Sequence, residues 1–372
     1  MNIFSSNILS RYVMRTVLIS VLGIAAILSG LYIIFTFIAE AGDIGRGTYG
    51  SLEALEYVLL GLPANLYLIM PVAGLLGSLV GLGLLATHSE LLIMRTAGLS
   101  IRRIGVGVLS AGIIIAMITF ILGSFMGPWL QKEADFLKQS ASAGQSFLWT
   151  SQSLWLKDGD NFVYVGKITA EGKLENVVKY NVSNTSNFNI NHSELTEVIS
   201  APEANYQYDA KTGHGQWILK NAVTVDYFPD HVISHTSPEL IWPSLAAPSL
   251  LSVIASNSEN LTLLGLVHFV TYQVQNGLDA TGYQLKLWRL IFQPLSVIVL
   301  MLMALPFVFG PLRSRALGWQ LMVGLLLGLA FFFVDRFFGA FSQVYHLSPL
   351  IGASLPCLLM LILLLISSVR LA

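Results

Sequence analysis

Residues 58–85 read VLLGLPANLYLIMPVAGLLGSLVGLGLL and contain no Asp, Glu, Lys or Arg. A bilayer core about 30 Å thick is crossed by about 20 apolar helical residues, so this stretch is a membrane span and decides the class of the chain. Working outward, five further windows pass the same test: roughly 17–39, 104–128, 288–310, 317–338 and 348–369. Composition agrees, because 54% of the 372 residues are hydrophobic, 11% are charged and the mean hydropathy is +0.69, which excludes an ordinary soluble protein. The first window has Arg11 and Arg15 before it and Ala39-Glu40-Ala41 after it, like a secretory signal. Its apolar run is about twice the length of a signal core, so it reads as an uncleaved helix.

Three spans precede a polar stretch and three follow it. The expected organisation is an N-terminal membrane half over residues 1–129, an inserted β-domain over 130–283 and a C-terminal membrane half over 284–372. The fold class is therefore an integral α-helical membrane protein of six transmembrane helices, three plus three, carrying an antiparallel sandwich or jelly roll. Expected strands are Leu154–Leu156, Asn161–Ile168, Val177–Asn181, Asn187–Ile190, Tyr206–Tyr208, Gln216–Leu219 and Val223–Tyr227, punctuated by Asp158-Gly159-Asp160 and Thr212-Gly213-His214-Gly215. Leu263, Leu264, Val267, Val270 and Val274 recur at helical spacing and predict an amphipathic helix ended by Gly277. A lone cysteine, Cys357, excludes an intramolecular disulfide.

Orientation follows from the basic residues of short connections. Arg11, Arg15, Arg95, Arg102, Arg103, Arg313, Arg315 and Arg370 fall on one side, against Arg46 and Arg336 on the other. This places both termini in the cytoplasm and the β-domain outside. Glu90 is then the one acidic residue on the cytoplasmic side.

No phosphate loop, zinc helix or nucleophile elbow occurs. His231 and His235, four apart, lack a third ligand and read as exposed polar residues. The segment Thr87-His88-Ser89-Glu90-Leu91-Leu92-Ile93-Met94-Arg95-Thr96-Ala97-Gly98 predicts a short helix against the inner face, with a capping box from Thr87 to Glu90 and a stop at Gly98. Glu90 either satisfies free amides at the helix start or joins Leu91 and Met94 in a plug for a partner protein, and both can hold. Gly77/Gly81 and Gly324/Gly328 have close-packing spacing. Pro63 and Pro71 are expected to bend or break the second span. Asp335 and Arg336 are expected to end the fifth span among Phe331, Phe332, Phe333, Phe337 and Phe338, as an interfacial anchor or a contact to a polar lipid headgroup.

Four stretches taken together carry a resemblance: Ser89-Glu90-Leu91 with Gly98; Leu154-Trp155-Leu156-Lys157-Asp158-Gly159 running to Asn161–Val165; Ile291-Phe292-Gln293-Pro294-Leu295-Ser296; and Phe309-Gly310-Pro311-Leu312-Arg313-Ser314. They resemble, over nearly the whole chain, the G-type permease of the lipopolysaccharide export ABC transporter, in the LptF/LptG permease family. The resemblance implies six helices with a periplasmic β-jelly roll in a bacterial inner membrane. It implies as partners an F-type permease, a cytoplasmic ATP-binding dimer, an inner-membrane-anchored periplasmic bridge protein and lipopolysaccharide, with no nucleic acid. It implies no cofactor on this chain, ATP and Mg being used by the partner ATPase, and no catalytic or metal residue. The loop matching Ser89, Glu90, Leu91, Met94, Arg95 and Gly98 is the family's coupling helix. A lipid gate between first and fifth spans points to Tyr32, Phe35, Thr36, Arg46, Phe332, Asp335 and Arg336. Where relatives carry cations near the outer end of the first span, this chain has Thr36, Gly42 and Asp43, leaving Arg46 as the nearby cation. Other classes stand beside this one: a membrane-anchored sensor or assembly scaffold whose outer domain binds a ligand, and an intramembrane enzyme.

Overall fold

In the computed structural model, the structure describes residues 3–143, 153–159, 161–169, 173–187, 190–209, 214–228, 230–243, 251, 260–310, 317–345 and 347–369. Arg313, Arg315, Arg370, the Gly310–Arg313 turn beyond Gly310, and part of the 212–215 turn lie outside them. The elements run α1 (Ile3–Glu40), α2 (Ser51–Thr87), α3 (Glu90–Thr96), α4 (Ile101–Ile121), a π-turn (Leu122–Met126), α5 (Gly127–Ala143), β1 (Leu154–Asp158), β2 (Asn161–Ile168), β3 (Leu174–Asn187), β4 (Ile190–Asp209), β5 (His214–Tyr227), β6 (Val232–Pro243), α6 (Leu263–Gln275), α7 (Thr281–Phe309), α8 (Leu317–Val344) and α9 (Pro349–Val369). The chain forms two compact units, Met1–Lys138 with Thr281–Ala372, and Gln139–Ala280.

Among the described residues, six helices are long and apolar enough to cross a membrane, so the expected span count holds. The second is the most enclosed: 72% of its apolar window is buried, against 22% for the first and 17% for the fifth. Glycines set this arrangement. A Cβ on Gly77 would lie 2.3 Å from the Val21 Cα, and one on Gly81 3.0 Å from the Val17 Cα, so α1 lies against α2 at backbone distance. Gly324 and Gly328 do the same for α8, where Cβ atoms would meet Leu79 and Val72 of α2. Val17 and Val21, which meet this seam, are fully buried.

Two sequence expectations for the membrane unit are corrected. Of the two outcomes expected at Pro63 and Pro71, a bend or a break, the break does not occur, since α2 runs unbroken through both. Its enclosure by neighbouring helices holds it together despite the lost backbone donors. The third span is not a plain helix ending near residue 128. It passes through the π-turn into α5, and within that turn the ring of Tyr67 occupies the space that a Cβ on Gly123 would need, 2.5 Å away.

The second unit is a six-stranded antiparallel sheet in which every strand pairs its sequence neighbour, from β1 through β6. The indole Nε1 of Trp242 on β6 donates to Asp158 Oδ2 on β1 at 2.8 Å. The first and last strands therefore meet, and the sheet is rolled upon itself around Trp217, which stacks on Trp242 and is fully buried. The expected β-domain is thus a rolled antiparallel sheet with strands in chain order. β6 went unpredicted because Pro238 interrupts it, and proline is tolerated on an edge strand where a ladder donor is not needed. The expected Asn187–Ile190 strand is not one element: Asn187 closes β3 and Ile190 opens β4, with 188 and 189 outside the described residues. Helix α6 follows its prediction, with Thr262 capping its start and Gly277 at φ +63 after its end. It braces β1, for the Tyr272 hydroxyl donates to the Lys157 carbonyl at 2.6 Å and the Asn276 side chain accepts from the Gly159 amide at 2.6 Å. Burial pushes the Tyr272 hydroxyl up to about 12.

The closure of the roll gives a direct expectation. Trp242→Phe keeps the ring and leaves the Asp158 carboxylate without its donor, a cost of about 1–3 kcal/mol. In detergent-solubilised full-length protein, cleavage by trypsin at Lys157 and Lys167 is expected to rise several-fold; unchanged protection would show that the seam does not depend on this bond.

Candidate functional sites

The short helix between the second and third spans is built as a separate cap on the membrane unit. The capping box predicted from Thr87 to Glu90 is absent: Thr87 still belongs to α2, and its hydroxyl donates back to the Leu84 carbonyl at 2.9 Å. The helix instead starts after Ser89, whose φ of 60 turns the chain sharply between α2 and α3. Its end is as predicted. Gly98, at φ +91, lets its amide reach the Arg95 carbonyl and the Leu99 amide reach the Met94 carbonyl, both at 3.0 Å.

The facing of α3 corrects the predicted plug. Leu91 and Met94 are 3% and 6% exposed and are packed into the apolar core with Val13, Ile104 and Val308. Burial wins because these two side chains lie on the turn facing the bundle. The residues directed outward are Leu92 and Ile93, at 49% and 64% exposed, with Arg95 and Thr96 beside them. Two side chains tie α3 to the spans. Glu90 lies beside the Tyr12 hydroxyl of α1, and the Arg95 guanidinium lies 6.0 Å from the centre of the Phe309 ring at the end of α7.

At the opposite end of the unit the predicted gate residues separate into groups. Tyr32 is turned toward α2, where the Asn65 side-chain amide donates to its hydroxyl at 2.5 Å. Phe35 is exposed and Thr36 half-buried on α1. Arg46 is exposed and its guanidinium pairs with Asp43 at 2.7 Å. It is not alone: Lys138, at the far end of α5, binds Glu40 at 2.7 Å and Asp43 at 2.9 Å. Sequence distance hid this lysine from the first span. Glu40 also accepts from the buried Tyr49 hydroxyl at 3.1 Å. The hydrogen bond and charge of Lys138 hold the Asp43 carboxyl below the usual carboxylate range, so these pairs are present at neutral pH and are lost as pH falls through that lowered value. Two carboxylates and two cations leave the cluster balanced, and neither cation is without a counter-charge.

The fifth span carries the other group. Asp335 and Arg336 do not end it, because α8 continues through a second run of aromatics to Val344. Asp335 pairs with Arg289 of α7, which donates through Nη2 both to the carboxylate at 3.0 Å and to the Asp335 main-chain carbonyl at 2.7 Å. Arg336 is exposed, lies over the Phe332 ring at 5.3 Å, and has no carboxylate salt bridge among the described residues. Phe332 and Phe333 are exposed on the same span. Arg289 was missed by sequence reading, although a cation and an acid inside two different apolar windows are the signal for such a pair. The two histidines have separate neighbours: His231 stacks on Phe228 and His235 faces Asp226.

Six helices long and apolar enough to cross a membrane, with a β-domain inserted after the third, define a multi-pass membrane protein. The family model of the lipopolysaccharide export system permease LptF/LptG matches residues 11–370. The chain belongs to this family. It is 34% identical over 350 residues to the lipopolysaccharide export system permease protein LptG of Escherichia coli K12, covering 94% of each chain. To LptG of Haemophilus influenzae it is 31% identical over 356 residues, 96% of each. Similarity to LptF of Escherichia coli K12 is 28% over 167 residues, 43% of this chain and 44% of that one.

Proposed function

We propose that the chain is the G-type permease subunit of an ABC transporter that extracts lipopolysaccharide from the outer leaflet of the inner membrane and passes it to a periplasmic bridge. In this reading both termini and α3 are cytoplasmic and the rolled sheet is periplasmic. The chain is non-catalytic and binds no cofactor; a separate ATP-binding dimer uses ATP and Mg. An F-type permease stands opposite it, and the anchored bridge protein receives the lipid.

The observation that carries the reading is α3. Its outer face presents Leu92 and Ile93 to solvent, while Glu90 and Arg95 connect it to the first and fourth spans. A partner gripping that face moves two spans at once. The sparse burial of the first and fifth spans supports a lateral lipid path, since both leave apolar faces open to a second permease or to acyl chains. Exposed Phe35, Phe332 and Arg336 suit a lipid with apolar chains and an anionic headgroup.

The test is purification of the tagged chain from its native membrane followed by export assays of Glu90→Lys. An ATP-binding subunit in stoichiometric amount is expected with the wild type, and the lysine variant is expected to lose most ATPase coupling, because it places like charge near Arg95 and removes the carboxylate beside Tyr12. Absence of any ATP-binding partner, or full export by the variant, would overturn the reading.

A further inference from the structure

Arg289 is held at four points. Its Nη2 reaches the carboxylate and the main-chain carbonyl of Asp335, its own carbonyl accepts from the Tyr67 hydroxyl at 3.1 Å, and its guanidinium occupies the space beside Gly339, where a Cβ would lie 2.3 Å from Nη2. Tyr67 in turn stands in the gap opened by Gly123 of the π-turn. Three spans and two glycines thus place one cation against one acid. The pair lies near the ends of the apolar windows, Arg289 second in 288–310 and Asp335 fourth from the end of 317–338, with side chains 23% and 17% exposed. An ion pair this enclosed carries a desolvation cost and needs a reason.

The reason lies next in sequence. Arg336 faces outward on the least enclosed span, and its charge also acts on the Asp335 carboxylate. An acid with no other partner would draw Arg336 back and cancel it. We propose that Arg289 is a positioning residue that sequesters Asp335, so that Arg336 keeps an uncompensated positive charge on the outer surface of the fifth span for an anionic lipid headgroup. This rests on the gate reading above and deepens it by assigning the counter-charge. The balanced Glu40–Asp43–Lys138–Arg46 cluster makes Arg336 the more important cation, because among the described residues both cations at the outer end of the first span have a carboxylate beside them.

The experiment uses the full chain in the assembled transporter and has two readouts. Phenylglyoxal labels arginine side chains, and labelling of Arg336 followed by mass spectrometry reports whether it is free or paired. Arg289→Gln is expected to reduce Arg336 labelling and to lower lipopolysaccharide export about tenfold, whereas Arg289→Gln with Asp335→Asn is expected to restore both to within about threefold of wild type, as a neutral pair leaves no stranded charge. Equal labelling in wild type and Arg289→Gln, or a double variant as defective as the single, would overturn the proposal. Arg336→Gln, with the Arg289–Asp335 pair intact, tests the gate reading separately. Normal export by that variant sinks the headgroup role of Arg336, while the labelling pattern still decides whether Arg289 sequesters the acid.

Discussion

Ile93→Asp is expected to leave the chain folded in the membrane and, with α3 as the contact proposed above, to abolish co-purification of an ATP-binding subunit. Ile93 is 64% exposed, so the substitution costs the isolated protein little. At an apolar interface the same carboxylate is desolvated without a partner, a cost of several kcal/mol. Loss of a central anchor of about 2 kcal/mol or more weakens a complex about thirtyfold, and export stops with it. Co-purification and an export assay read the result, with membrane abundance as the check on folding. Leu91→Asp is the contrasting case: Leu91 is 3% exposed in the core, so the chain itself is expected to be degraded. If Ile93→Asp retains its partner while Leu92→Asp does too, α3 is not the contact.

Gly77→Val is expected to remove the protein from the membrane almost entirely. The added Cβ would sit 2.3 Å from the Cα and 2.7 Å from the amide nitrogen of Val21, and backbone atoms cannot rotate aside. The first two spans must separate, which costs about 3 kcal/mol or more and opens the seam around Val17 and Leu79. Gly23→Val is the matched control, since nothing lies within 4 Å of a Cβ there. Full-length yield in membranes is expected to fall at least about tenfold for the first and to hold for the second, with the factor set by the stability loss. Comparable yields would show that the two helices are not in backbone contact.

Membrane class and span count were legible because six long apolar windows, four of them without a single charge, leave the chain no other solution, and helix length is dictated by the bilayer. Gly98 and Gly277 were legible as helix ends because only a left-handed backbone fits there. What escaped depends on neighbours far away in sequence. The inward turn of Leu91 and Met94 is settled by the core they meet, and both faces of α3 are apolar, so periodicity alone could not tell which face is buried. Thr87 matched the capping spacing but was already taken by the preceding helix. Lys138 and Arg289 were each passed over because their acids are 98 and 46 residues away, respectively. β6 was lost for a local reason: Pro238 reads as a strand breaker, and only its place at the rim of the sheet makes it acceptable.

The wider turn at Leu122–Met126 sets an angular phase for everything that follows it. A helix advances about 100° with each residue, so removing one position from the ordinary helical stretch between this turn and Lys138 would swing the lysine by roughly that angle. Lys138 would then point away from Glu40 and Asp43, although none of the three had been altered. The wide turn can take up one residue and the helix beyond it cannot, so the length of that helix is as much a part of the charge pattern at its far end as the charged residues themselves.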